Sequence, residues 1–222
     1  TATKLTVETE YGSATMWAEK GENGTLYFLL RHEKGHTVPP HLINYRANIS
    51  ALKSVGVTRV IALYGVGSIT SMVIPGNLGL IDQFIDVTSN RANTFYDQMN
   101  SPFEHTPMVF PYSRRLRVLI ANKAKELQIS LSLKGTYVCT NGPRLETPAE
   151  ITMYRRLGGD YVGMTAATET ILANEAHMEI AGLVYSMNWA AGLDAEGISF
   201  IEDEITQKAV DQLTLLAKET LS

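Results

Sequence analysis

The sequence predicts an α/β sandwich, a single domain in which a central mixed sheet is flanked by helices. Two observations support this fold class. Short apolar runs typical of buried strands alternate with amphipathic runs typical of helices, and no internal repeat or linker interrupts the alternation. The 222 residues, 45% of them hydrophobic, are enough to build one buried core. We therefore expect one domain over residues 1–222.

The predicted strands are apolar throughout rather than alternating. Continuous apolar character is typical of strands that are covered on both faces of a sheet. A further strand is expected to end at Gly163. The apolar runs lie at residues 26–30, 60–64, 78–85, 137–139 and 182–187.

Helices are predicted from periodicity and from their end signals. A helix over residues 43–54 is stopped by Gly56, and Ser113 is a predicted N-cap for a helix that runs to about residue 127. Thr147, Pro148 and Glu150 form a capping-box pattern that opens a third helix. The last helix covers residues 205–221. The residues predicted to face inward in the second and last helices are Leu116, Leu119, Ile120, Ala124, Leu127, Ile205, Ala209, Leu213, Leu216 and Ala217.

Composition narrows the class of protein. The net charge of −4 argues against non-specific nucleic-acid binding, which needs a basic surface. The single cysteine, Cys139, rules out an internal disulfide, so we expect a reducing compartment, the cytoplasm. No apolar run approaches the roughly 18 residues of a membrane span, and we expect no membrane partner.

Polar residues follow the first predicted strand directly, at Arg31 and His32. Ligands of α/β proteins bind at strand ends, and the planar fork of Arg matches phosphate oxygens. The alternative is a surface loop with solvated charges. A metal site built from His32, His36 and His41 is not expected, because the glycine and prolines between them break the helix that this spacing would need.

A glycine-rich segment from Tyr64 to Ser68 follows the second predicted strand. We predict a loop here, and such a loop can expose backbone N–H groups to an anion. Turns of this composition are common, so the segment by itself indicates no particular ligand.

Three more polar residues lie where predicted strands end. Glu146 precedes the capping box, and it either complements the helix dipole or accepts a hydrogen bond from a ligand. Thr165 follows a strand and either caps the next helix or binds an anion. Asn188 lies at the end of the last strand, where it is either a turn residue or an amide that both donates and accepts.

Taken together, these segments resemble the trimeric purine nucleoside phosphorylases, and within them the methylthioadenosine and methylthioinosine phosphorylases. The resemblance runs almost end to end. It is carried by Arg31-His32, by the run from Pro39 to Asn48, by Ile81-Asp82-Gln83-Phe84-Ile85-Asp86, by Gly142-Pro143-Arg144-Leu145-Glu146-Thr147 with Ala149-Glu150, and by Gly163-Met164-Thr165.

The resemblance implies a role for each candidate residue. It assigns phosphate binding to Arg31, His32, Tyr64, Gly65 and Thr165, and contact with the base to Leu145, Glu146 and Asn188. Glu146 and Asn188 are also implied as the catalytic pair, because they hold a 6-oxopurine. Met164 is implied to lie under the ribose, with Ile201 at the 5′ group. His105, in the long irregular segment 88–112, resembles a residue that family members lend to the 5′ pocket of a neighbouring subunit.

Two departures from the family pattern bear on phosphate binding. Family members open with a strand and a Gly-Gly-Thr/Ser-Gly phosphate loop, whereas this sequence begins at what resembles the following strand, Lys4 to Glu8. Tyr64 stands where relatives often carry a small or hydroxyl residue. From these departures we expect weak phosphate affinity and slow turnover.

The resemblance implies phosphorolysis of the N-glycosidic bond of a 6-oxopurine nucleoside in a homotrimer. Inorganic phosphate is the implied co-substrate, with no metal and no organic cofactor. Asn188, in place of an Asp, favours a 6-oxopurine, and the apolar Ile201 favours a 5′-methylthio group, so we expect 5′-methylthioinosine as the nucleoside. The alternatives are a methylthioadenosine phosphorylase, an inosine or guanosine phosphorylase, and a non-catalytic relative that binds purines.

Overall fold

The computed structural model describes residues 2–195 and 197–222 and contains two β-sheets and five α-helices. A three-stranded antiparallel sheet is formed by β1 (Thr3–Thr9), β2 (Gly12–Gly21) and β3 (Gly24–Leu29). Among the described residues, no helix is both long and apolar enough to cross a bilayer.

The second sheet is mixed and has six strands in the order β5-β9-β4-β8-β7-β6. Strand β4 pairs with β9 in parallel and with β8 antiparallel. The bounds are Arg59–Ser68 for β4, Leu78–Leu80 for β5, Gln83–Asp86 for β6, Thr136–Cys139 for β7, Tyr161–Gly163 for β8 and Glu179–Trp189 for β9.

Helices cover both faces of this sheet. Ala62 and Tyr64 of β4 belong to a buried cluster with helices α1 and α4, whereas Ile61 and Leu63 pack on a second cluster that holds α2 and α5. This alternation is what a strand covered on both faces requires. The helices are α1 (Tyr45–Ser54), α2 (Arg114–Glu126), α3 (Pro148–Arg156), α4 (Ala166–Glu175) and α5 (Asp203–Leu221). The α/β sandwich with a central mixed sheet is thus confirmed.

The predicted helix ends are confirmed in detail. The Ser113 side chain accepts a hydrogen bond from the backbone N–H of Leu116, and both bonds of the Thr147/Glu150 capping box are present. The first helix begins later than predicted, because Asn44 is its N-cap and accepts from Ala47. Two residues predicted to face inward are exposed instead: Leu119 on α2 and Ile205 in the first turn of α5.

The predicted strand over residues 78–85 is wrong as a single element. It is two short strands, β5 and β6, which lie at opposite edges of the six-stranded sheet. Only Ile81 and Asp82 separate them, and their backbone N–H groups donate to Gly182 and Gly135 respectively. Since so few residues span only about 10 Å, the two edges lie close together and the sheet is curled.

The α2/α5 cluster generates a test of this packing. Leu213 is fully buried in that cluster, whereas Leu215 of the same helix is 47% exposed. We expect Leu213→Ala to lower the free energy of unfolding by about 3 kcal/mol, because it removes buried methyl groups and leaves a cavity. Urea unfolding measures the loss. Leu215→Ala is the matched control and should cost less than about 1 kcal/mol, and equal losses would contradict the packing described.

Candidate active site

Chain segments from three strands converge on β4. Strand β8 runs antiparallel to β4 with Val162 opposite Gly67, so the residues that follow it run back alongside the middle of β4. Strand β9 runs parallel to β4 on the other edge and places Asn188 opposite Gly67. Candidate residues at the ends of β8 and β9 therefore lie near one another.

The predicted glycine-rich loop after Tyr64 is wrong, because residues 65–68 continue β4. A Cβ atom on Gly65 would lie 2.6 Å from the sulfur of Met187, and one on Gly67 would lie 3.3 Å from Val162. These glycines therefore permit close packing against the neighbouring strands. The role of Tyr64 and Gly65 at phosphate stays a prediction, now for strand residues.

Arg31 follows β3 and reaches across to the six-stranded sheet. Its Nε donates to Glu169 Oε1 at 2.6 Å, and its Nη1 donates to the carbonyl oxygen of Leu63 at 2.8 Å. The hydroxyl of Tyr64 donates to the other oxygen of the Glu169 carboxylate at 2.8 Å. A groove of about 1090 Å³ between β3 and β4 has Arg31, His32 and Glu169 in its lining.

These contacts set the charge states of the cluster. Burial opposes the charged form of Arg31, yet the Glu169 carboxylate outweighs it and raises the pKa of Arg31 above its ordinary value. Burial, with Glu169 adding to it, raises the pKa of Tyr64 well above its ordinary value. At neutral pH Arg31 is therefore a cation and Tyr64 a neutral hydroxyl donor.

His32 is held by its backbone surroundings. Its Nδ1 lies 2.8 Å from the carbonyl oxygen of Val38, and its ring stacks on His36 at 4.1 Å between centroids. A carbonyl oxygen only accepts, so Nδ1 carries a proton. Burial is the main cause that lowers the pKa of His32, so at neutral pH the ring is neutral and its Nε2 has a free lone pair.

Thr165 and Met164 follow β8. Thr165 is the N-cap residue of α4 and is 5% exposed, but its side chain makes no capping hydrogen bond. Of the two interpretations left open by the sequence, capping by the hydroxyl therefore loses support. The sulfur of Met164 packs so closely on Gly142 that a Cβ there would collide with it, and this contact links β8 to the loop that carries Glu146.

Glu146 is fixed at the start of α3. The hydroxyl of Thr140, directly after β7, donates to Glu146 Oε1 at 2.8 Å. Arg144 and the Thr147 backbone N–H both bind Glu150, and these bonds lower the pKa of Glu150 to about 2. Leu145 is 45% exposed beside them.

Asn188 is 7% exposed and its amide donates to the carbonyl oxygen of Trp189 at 2.7 Å. The loop after β9 packs on α3, because a Cβ on Gly192 would lie 2.6 Å from the Cβ of Pro148. This contact brings the two chain segments that carry Asn188 and Glu146 together. The Ile201 backbone N–H donates to Met187 at 2.8 Å, which places Ile201 beside the same strand end.

His105 lies elsewhere in the chain. It lines a cleft of about 520 Å³ with Glu179, the first residue of β9. Asn188 is near the last residue of that strand, and nine residues of strand span roughly 30 Å. His105 is therefore not brought together with the other candidates within one chain. No group of three or more His, Cys, Asp or Glu side chains in residues 2–195 and 197–222 is placed to hold a metal.

Sequence reasoning missed Arg91, which ties the ends of β7 and β8 together. Its Nη1 donates to the carbonyl oxygen of Met164 at 2.6 Å, and its Nη2 donates to those of Asn141 at 2.8 Å and Thr140 at 3.3 Å. Its buried Nε has no hydrogen-bond partner among the described residues. The residue lies in the irregular segment 88–112, where periodicity carries no signal.

Known proteins share this fold and sequence. Residues 2–222 match the family model described as the phosphorylase superfamily. The chain is 43% identical to the 6-oxopurine nucleoside phosphorylase of Pyrococcus furiosus over 95% of this chain and 82% of that protein. It is 47% identical to a probable S-methyl-5′-thioinosine phosphorylase of Xanthomonas campestris over 79% of this chain and 70% of that protein.

A solved structure agrees with these matches. The methylthioadenosine phosphorylase of Schistosoma mansoni in complex with tubercidin superposes with a TM-score of 0.90 at 28% identity. The superposition covers 98% of this chain and 83% of that one.

The Arg91 contacts generate a prediction about stability. We expect Arg91→Ala to lower the free energy of unfolding by about 3 kcal/mol, because it removes charge-assisted hydrogen bonds and leaves several carbonyl oxygens without their donor. Chemical denaturation measures the loss. Arg114, an exposed residue whose guanidinium stacks on Phe110 at 4.8 Å, offers the control. Arg114→Ala should cost less than about 1 kcal/mol, and a similar loss in both variants would contradict the proposed clamp.

Proposed function

The chain belongs to the phosphorylase superfamily, and from that premise we propose that it cleaves the N-glycosidic bond of 6-oxopurine nucleosides with inorganic phosphate. The observation that carries this proposal is the placement of Glu146 and Asn188 at one site by the contact between Gly192 and Pro148. The protein names of two relatives, a 6-oxopurine nucleoside phosphorylase and a thioinosine phosphorylase, support the same class of base.

Glu146 and Asn188 match the edge of a 6-oxopurine. This base presents an N1–H donor and has acceptors at O6 and N7. The Glu146 carboxylate accepts from N1–H, and the Asn188 amide donates to N7 or O6 after exchanging its bond to Trp189. An Asp at position 188 would instead protonate N7 of a 6-aminopurine.

The proposed reaction breaks the bond between C1′ and N9 and forms a bond between C1′ and a phosphate oxygen. The departing purine takes the electron pair of the broken bond, and the sugar passes through an oxocarbenium-like state. Asn188 is aimed at the atoms where negative charge develops, which is electrostatic catalysis. Arg31, His32 and Thr165 hold the phosphate for attack, so that positioning supplies much of the remaining rate.

The surroundings of the 5′ position favour a methylthio substituent. Ile201 is a half-buried apolar residue bound through its backbone to Met187, next to Asn188. We therefore propose 5′-methylthioinosine as the preferred nucleoside. Methylthioadenosine is the second candidate, because the solved neighbour is named as a methylthioadenosine phosphorylase. Inosine and guanosine would need a polar contact to the 5′-hydroxyl.

The position of His105 supports assembly into a homotrimer, which we propose as the functional unit. His105 lies roughly 30 Å along β9 from Asn188 of its own chain, so it can contact a nucleoside only in a neighbouring subunit. The same segment exposes large apolar side chains, which is typical of an interface. They are Met99, Phe103, Val109 and Phe110.

Base selectivity is the direct test of the proposed function. We expect phosphate-dependent release of hypoxanthine from methylthioinosine to exceed release of adenine from methylthioadenosine. Asn188→Asp should raise the ratio of 6-amino to 6-oxo activity by about tenfold or more, because it exchanges a donor for an acid at N7. Chromatography of the free bases measures both rates. Faster cleavage of methylthioadenosine by the wild type would contradict the proposed base class, and no phosphate-dependent release would favour a purine-binding relative.

Oligomeric state provides a separate prediction. Light scattering at micromolar concentration should give three times the chain mass of 24.4 kDa. His105→Ala should weaken nucleoside binding by about tenfold, because a hydrogen-bonding ring is lost from the neighbour's pocket. Glu104→Ala in the same cleft is the control and should bind as the wild type does. A monomer, or equal effects of the two variants, would refute the shared site.

A further inference from the structure

The carboxylate of Glu169 is buried beside the cation proposed to bind phosphate, and no role has yet been given to it. Side-chain exposure is 18% for Arg31 and 10% for Glu169, and their atoms are 2.6 Å apart. Glu169 lies in the first turn of α4, and its backbone N–H donates to Thr165. The pair therefore joins a loop after the three-stranded sheet to the helix start where Thr165 sits.

The contacts of Arg31 divide its guanidinium into a held part and a free part. Of its five N–H donors, the one on Nε is taken by Glu169 and one on Nη1 by Leu63. Nη2 has no protein acceptor among the described residues. With two points fixed and Tyr64 against its face at 4.8 Å, the guanidinium plane has one orientation. Nη2 is then the donor that remains for an anion.

We propose that Glu169 is the positioning residue of the phosphate subsite, fixing the guanidinium of Arg31 next to Thr165 so that Nη2 and the Thr165 hydroxyl face one phosphate. This inference rests on the proposed phosphorolysis. Glu169 itself does not touch the phosphate, because its two oxygens already accept from Arg31 and from Tyr64.

A carboxylate near a phosphate also carries an electrostatic cost, and the geometry limits it. The Tyr64 hydroxyl and the Arg31 Nε–H each bind one oxygen of Glu169, so donors neutralise the carboxylate on both sides. If the carboxylate instead occupied the phosphate position and had to be displaced, its removal would strengthen phosphate binding. The two arrangements thus predict opposite signs for the same substitution.

The experiment compares Glu169→Ala and Glu169→Gln in full-length chains. Steady-state rates are measured with phosphate varied at saturating nucleoside, and then with nucleoside varied at saturating phosphate. We expect Glu169→Ala to raise KM for phosphate by about tenfold or more with little change in KM for the nucleoside. Glu169→Gln keeps an oxygen that accepts from Arg31 Nε and should restore part of the loss. Tyr64→Phe should raise KM for phosphate in the same direction by a smaller factor.

Glu175, at the other end of α4, provides the matched control. Its carboxylate accepts from the Thr94 hydroxyl at 2.9 Å and from the Phe95 backbone N–H at 2.7 Å, away from Arg31. Glu175→Ala therefore removes a carboxylate with structural bonds from the same helix. It should lower thermal stability without a selective rise in KM for phosphate.

Calorimetric titration with inorganic phosphate separates the inference from the proposed reaction, because it needs no turnover. Weaker phosphate binding in Glu169→Ala, partly restored in Glu169→Gln, supports positioning even if the nucleoside differs from the one proposed. Tighter phosphate binding in Glu169→Ala, or equal rises in KM for both substrates, would overturn it. Wild-type chains that bind phosphate but release no base would refute the proposed reaction alone.

Discussion

Strand β4 accepts a parallel partner on one edge and an antiparallel partner on the other, and the candidate site depends on this pairing. Strand β8 brings Thr165 back along β4 towards Tyr64, while β9 carries Asn188 forward to Gly67. Glycines at positions 65 and 67 allow both neighbours to approach, because any side chain there would collide with Met187 or Val162. The close fit of three strands thus decides where the polar residues meet.

Sequence patterns predicted the elements whose signals are local. The cap at Ser113 and the capping box at Thr147 depend on residues three positions apart, and both are present. Helix α4 escaped notice because it is buried on nearly all sides, so that it lacks the polar face that marks an amphipathic helix. The run at 78–85 misled for a related reason, since apolar residues continue unbroken while the chain passes from one sheet edge to the other.

The candidate site divides in the same way. Arg31, Glu146, Thr165 and Asn188 were found because each follows or ends a predicted strand, and the resemblance to known enzymes supplied their roles. Their partners were out of reach: Glu169 pairs with a residue 138 positions away, and Arg91 binds three carbonyl oxygens that only the folded chain brings together. No local pattern encodes such contacts.

The link between Arg31 and helix α4 has a thermodynamic consequence. Arg31 follows the three-stranded sheet, whereas Thr165 and Glu169 belong to the six-stranded one, so an anion bound between them is bound only by the chain in which the two sheets are docked. Any ligand specific for the folded state shifts the folding equilibrium towards it, by about 2.7 kcal/mol at a hundred times its Kd. Inorganic phosphate, as the proposed co-substrate, then also acts as a folding ligand, and the resistance of this chain to heat would rise and fall with the phosphate concentration around it.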